Sequence, residues 1–143
     1  MSNVTLAQAK TIIARAFEKG AELGLKPLTV AVLDSGAAIV ALERSDNSPL
    51  MRPHIAIGKA NGAVRMGIGT RAIFNRAQEQ PYFIQAVNAL ADGSLVPVPG
   101  GVLIRDESGA LLGAVGVTGD TSDNDEICAV AGIEAVGLTA ETG

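Results

Sequence analysis

The sequence predicts a single α+β domain in which antiparallel hairpins are flanked by helices. Three observations carry that expectation. Two stretches, residues 28–43 and 101–117, each set two short apolar runs around an acidic, glycine-containing turn. Helical patterns lie before, between and after these stretches and not behind each strand, so the order is not one of alternating βα units. The chain has 143 residues, 48% of them apolar, which suits one domain, residues 1–143, with one real core.

The first helix is expected over residues 6–23. Thr5 can cap it, and Gln8 three positions on completes a capping box. Leu6, Ala9, Ile12, Ile13, Ala16, Phe17 and Leu23 follow at helical spacing. Gly24 suits the position just past the helix, and Pro27 stops any continuation. Residues 28–34 and 37–43 then read as two strands around a tip at Asp34-Ser35-Gly36. The device recurs with strands 101–105 and 110–117 around Asp106–Gly109.

Between the hairpins Pro53 suits the first turn of a helix running from His54 towards Met66. Ala56, Gly58, Ala60, Gly62 and Ala63 make that helix weak alone, so it is expected to pack closely against another backbone. Thr70 can cap a short helix through Arg76, and Pro81 can open another through Ala91. Ser122 and Asp125 read as a second capping box, opening a helix through about Leu138 whose buried face is Ile127, Val130, Ala131 and Ala135. Cys128 fits as a small core residue.

Composition narrows the function. A net charge of -4 is the wrong balance for a nucleic-acid binder or a basic membrane-surface helix. No apolar run reaches membrane-spanning length, no signal peptide is visible at the N-terminus, and one cysteine forms no internal disulfide, so a cytoplasmic protein is expected. One His and one Cys exclude the usual zinc set within a single chain. No serine sits in a nucleophile elbow, and Gly67-Ile68-Gly69 lacks the preceding strand and third glycine of a dinucleotide loop.

What remains is a local cluster of positive charge in an acidic chain: Arg52, Lys59, Arg65, Arg71 and Arg76. Arg52-Pro53-His54 stands at a helix start, where free N–H groups and the dipole favour an anion. Arg52 can clamp a carboxylate, and histidine is the side chain whose ordinary pKa lies near neutrality. The plain alternative is a solvated Arg and His at a loop–helix junction. Lys59 either projects into a pocket or runs along the surface. Pro97-Val98-Pro99-Gly100-Gly101 is either a structural turn or a close approach of backbone to ligand. Thr118, Asp120 and Thr121 are expected to cap the last helix, and Asp123, Asp125 and Glu126 to complement its dipole.

Several of these stretches resemble the GlcG/HbpS-type haem-binding family. Val30–Gly36 followed by Glu43-Arg44-Ser45-Asp46 is similar to its first hairpin, and Ala56-Ile57-Gly58-Lys59-Ala60 to its central helix. Pro99–Ile104, Gly113–Gly119 and the series Asp125, Ala129, Ala131-Gly132-Ile133 complete the match, which runs from about Thr5 to Leu138. Leu103 stands where the family carries proline. The resemblance implies a profilin-like antiparallel sheet with helices on its faces, and self-association into a homo-oligomer. It also implies handling of haem or a related tetrapyrrole, as in the related C-terminal domain of PduO. His54 would be the axial ligand of the haem iron, and Arg52, Lys59, Arg71, Gly100 and Gly101 would complete the cofactor site.

A second reading of the same residues is a cofactor-independent lyase, hydratase or isomerase. Arg52 or Arg71 would clamp a small carboxylate substrate and His54 would move the proton. A third is an accessory subunit whose small-faced helices serve subunit packing. The first two share a small anionic ligand.

Overall fold

The computed structural model describes residues 2–143. Helix α1 (Leu6–Glu22) begins as its sequence requires: the Gln8 N–H donates to the Thr5 hydroxyl at 3.1 Å and the Thr5 N–H to the Gln8 side chain at 3.0 Å. The chain leaves it through Gly24 at φ 67°. Strands β1 (Thr29–Asp34) and β2 (Ile39–Arg44) form the first hairpin. Helices α2 (Arg52–Met66), α3 (Thr70–Glu79) and α4 (Pro81–Leu90) follow, then the second hairpin, β3 (Gly101–Arg105) and β4 (Leu111–Thr118). Helix α5 (Ser122–Ala135) and a short strand β5 (Thr139–Glu141) end the chain.

Both hairpin tips are built alike. The Asp34 carboxylate accepts the N–H groups of Gly36 and Ala38 at 2.9 and 3.0 Å, and Asp106 accepts those of Ser108 and Ala110 at 2.9 and 3.0 Å. Each tip needs a left-handed residue three positions after its aspartate. The second supplies Gly109 at φ 86°, the first Ala37 at φ 65°. Ala37 therefore belongs to the turn, and β2 starts two residues later than expected.

The sheet has strand order β2-β1-β4-β3-β5, antiparallel throughout. The two hairpins join along β1 and β4 at its centre, which is the antiparallel α+β sheet the sequence predicts. Alternation along the strands gives it two buried faces. Val30, Val32, Val102, Ile104, Val115 and Val117 pack with Ile12, Ile13, Cys128 and Ile133 beneath α1 and α5. Leu33, Leu103 and Ala114 pack on the other side against Ala60 and Ala63 of α2. That helix lies almost on the strands: a Cβ on Gly116 would overlap the Ala56 carbonyl, and one on Gly101 the Lys59 carbonyl. The small residues of α2 are the means of that approach.

Other expectations also need correcting: Thr70 does not cap α3 but is its first residue, after Gly69, and its hydroxyl is bonded to Gly101. Strand β5 was not foreseen. A three-residue edge strand carries no periodic signal, and its place is fixed by pairing with β3. The cap of α5 is Thr121, one of the residues expected there, whose hydroxyl accepts the Asn124 N–H at 3.3 Å; Ser122 is already helical and the Ser122–Asp125 box does not form. The buried face of α5 is Asp125, Cys128, Ala129, Gly132 and Ile133. Ile127 and Ala135 are exposed, with Val130 and Ala131 half-buried, because Gly132 packs against the Ile12 backbone and turns that side of the helix inward.

Candidate functional site

The loop ahead of α2 is pinned before the helix begins. Ser48 is buried, its hydroxyl lies 2.9 Å from that of Thr29, and its carbonyl accepts from Arg44 at 2.6 Å. Met51 then enters α2 without a side-chain cap, and Pro53 occupies the first turn. Arg52 is half-buried and donates from Nη1 to the Thr118 hydroxyl at 2.6 Å, tying the start of α2 to the end of β4.

Lys59, two turns further along, is buried and neither opens onto a cleft nor follows the surface. Its Nζ donates to the Val117 carbonyl at 2.9 Å and to Asp125 Oδ2 at 3.0 Å. Asp125 Oδ1 accepts the Asp120 N–H at 3.0 Å, so both carboxylate oxygens are used. Burial pushes the Lys59 pKa down; the facing Asp125 charge opposes this, and the nearby Arg52 cation reinforces it. The pair joins α2 to α5 across the end of the sheet. Both sequence alternatives for Lys59 fail here, because its carboxylate partner lies 66 positions away.

Gly100, at φ 119°, leaves room for this ammonium: a Cβ there would stand 2.8 Å from Lys59 Nζ and 2.7 Å from the Val117 carbonyl oxygen. Gly101 is bracketed by Thr70, whose hydroxyl accepts the Gly101 N–H at 2.8 Å. Arg71 lies at the start of α3 with its guanidinium committed to α5, donating to Asp123 at 2.6 Å and to Glu126 at 3.0 and 3.2 Å. The Glu126 and Asp123 hydrogen bonds raise its pKa. His54 is exposed on the first turn of α2 and has no hydrogen-bond partner among the described residues. Leu50 and Met51, immediately before it, are 83% and 65% exposed.

A cleft of about 460 Å³ opens beside Arg52. Lys26, Pro27, Asn47, Pro49, Gly119, Asp120 and Thr121 complete its lining. Arg52 faces this cleft and His54 does not line it, as two positions on a helix place side chains on different sides. A larger groove, about 500 Å³ between α1 and α5, holds none of the six candidate residues. The structure therefore gathers Arg52, Lys59 and Gly100 at one end of the sheet, with Gly101 beside them; Arg71 is committed to Asp123 and Glu126, and neither it nor His54 lines the cleft. Lys26 and Asn47 were missed. Only the Gly119-Asp120 turn carried a visible signal, and that signal read as capping.

Comparison with known proteins agrees with this architecture. The family model described as haem degrading protein HbpS-like matches residues 4–134. An uncharacterized 15.0 kDa protein from the dhaT-dhaS intergenic region of Citrobacter freundii is 28% identical over 131 residues, covering 90% of this chain and 89% of its own. Among solved structures, that of HbpS aligns with a TM-score of 0.82 at 25% identity, covering 96% of this chain and 92% of that one. The complex of PduOC with heme aligns with a TM-score of 0.86 at 22% identity, covering 96% and 97%. The Klebsiella pneumoniae protein ORFY aligns with a TM-score of 0.86 at 24% identity, covering 96% and 92%.

Proposed function

The chain belongs to the HbpS-like family, and on that premise we propose that it binds a small anionic ligand, haem, at the start of α2. The observation that carries this reading is the environment of His54. It is the one imidazole of the chain, exposed and unpartnered among the described residues, and it follows two large apolar side chains that are open to water. An imidazole free of other bonds would be available to hold the haem iron, and Leu50 and Met51 would offer apolar surface to the ring. Arg52 has guanidinium donors left after its bond to Thr118 and would hold a propionate. A relative of the same fold was crystallised with heme.

Haem, when bound, supplies an iron centre whose reactivity is set by its axial ligand and surroundings. The chain's own part is to ligate through His54, to shield the ring with Leu50 and Met51, and to orient the propionate edge through Arg52. Lys59, Gly100 and Gly101 act behind Arg52, where they fix the end of the sheet that it braces. The exposed Tyr82 and Leu90 of α4, 67% and 82% open, support self-association of the chain.

Titration of haemin followed at the Soret band tests the reading. A shifted band that saturates at a fixed ratio of haem to chain is expected. A spectrum that stays that of free haemin overturns it and leaves the carboxylate enzyme as the reading to test.

A further inference from the structure

The cleft beside Arg52 is built in a way that the tetrapyrrole reading does not need. Three stretches of chain meet there, around Lys26, from Asn47 to Arg52, and around Gly119, and each is tied down by hydrogen bonds. Ser48 anchors the wall that carries Asn47 and Pro49. Asn47 holds the left-handed conformation at φ 68°, which its short polar side chain tolerates. The Lys26 N–H donates to Asp120 Oδ1 at 3.1 Å, and Asp120 Oδ2 accepts from Asn124 at 2.8 Å. Gly119, at φ 146°, packs so tightly on the Pro27 carbonyl that a Cβ would overlap it. Arg52 is braced by Thr118. A ligand entering the cleft would find its walls already ordered, which removes much of the usual cost of binding. The volume of about 460 Å³ lies within the range typical of small-molecule clefts, roughly 300–1,000 Å³.

Charge decides the ligand. Lys26 and Arg52 are cations and Asp120 is an anion, so the lining carries one net positive charge. One carboxylate neutralises it; a second negative group would meet Asp120. An ionised aspartate offers only acceptors, so the part of the ligand that reaches it must donate. We propose that this cleft binds a small monocarboxylate bearing a hydrogen-bond donor, with the carboxylate held by Arg52 and Lys26 and the donor by Asp120. The site shares Arg52 with the haem reading but does not depend on it.

The test uses haem-free protein, so the outcome of a haemin titration has no bearing on it. Lactate, propionate, succinate and inorganic phosphate are titrated in turn and followed by amide NMR. Lactate is expected to give saturable shifts at Asn47, Gly119 and Asp120, and to bind more tightly than the other three. Arg52→Gln and Lys26→Met should each weaken lactate by about tenfold or more, the scale of one lost charge-assisted hydrogen bond. Asp120→Asn should narrow the gap between lactate and propionate. Absence of saturable shifts at those amides overturns the proposal. So does tighter binding of succinate or phosphate, or unchanged lactate affinity in Lys26→Met. Because Arg52 also braces β4, Lys26→Met, which alters an exposed side chain, decides the matter if Arg52→Gln fails to fold.

Discussion

Lys59 and Asp125 lie on helices packed against opposite faces of the sheet, and their side chains meet 3.0 Å apart at its end, 2% and 1% exposed. Among the described residues this is the one ion pair that joins α2 to α5. Its remaining bonds reach the end of β4 through Val117 and the turn before α5 through Asp120. Both walls of the Arg52 cleft nearest the sheet therefore rest on this pair.

Breaking a buried pair leaves one charge without a partner. Lys59→Met is expected to lower the unfolding free energy by about 3–5 kcal/mol, measured by urea denaturation. Adding Asp125→Leu in the same chain should restore much of that loss, since two apolar groups of similar size carry no orphaned charge. A double variant as unstable as the single one would show that the pair is not the source of the effect.

The two hairpin tips differ at one equivalent position, and the difference is testable. Ala37 pays a left-handed conformation that Gly109 adopts freely. Ala37→Gly should stabilise the protein by about 1 kcal/mol, and Gly109→Ala should destabilise it by a similar amount. Thermal melts of the two variants should move in opposite directions.

Asp120 makes acid stability depend on the cleft. Hydrogen bonds from Asn124, and from the Thr121 and Lys26 backbone, favour its charged form and draw its pKa from the ordinary 3.8 to about 2. Between those values the unfolded chain binds the proton more readily than the folded one. Stability from this group is therefore complete above about pH 4 and is lost as pH falls towards 2. Asp120→Asn should flatten that part of the stability–pH curve, as followed by urea midpoints at successive pH values.

Local chemistry made most of the fold legible. The Thr5–Gln8 box, the two Asp-led turns and the alternating valines of β1 and β4 act over a few residues, so the sequence displays them directly. Likewise the small residues of α2 announced a close backbone contact, though not with which strands. Strand β5 escaped because only its pairing with β3 defines it. The face of α5 was misplaced because the helix is apolar on both sides, so periodicity did not distinguish Ile127 from Ile133. At the site, Arg52 was visible from charge and a helix start. The partners of Lys59 and Arg71 were not, as Asp125, Asp123 and Glu126 look like ordinary first-turn acids until the fold brings them across the sheet end. Lys26 and Asn47 lie in loops whose convergence on Arg52 has no sequence signature.

The ligation of haem by His54 is the central claim, and comparison of the native protein with His54→Ala in the same haemin titration tests it most directly. His54 is exposed, so the substitution is expected to leave folding intact. A saturable Soret shift is expected in the native protein and is expected to be lost or strongly weakened in the variant. The same band at the same affinity in both proteins would contradict it.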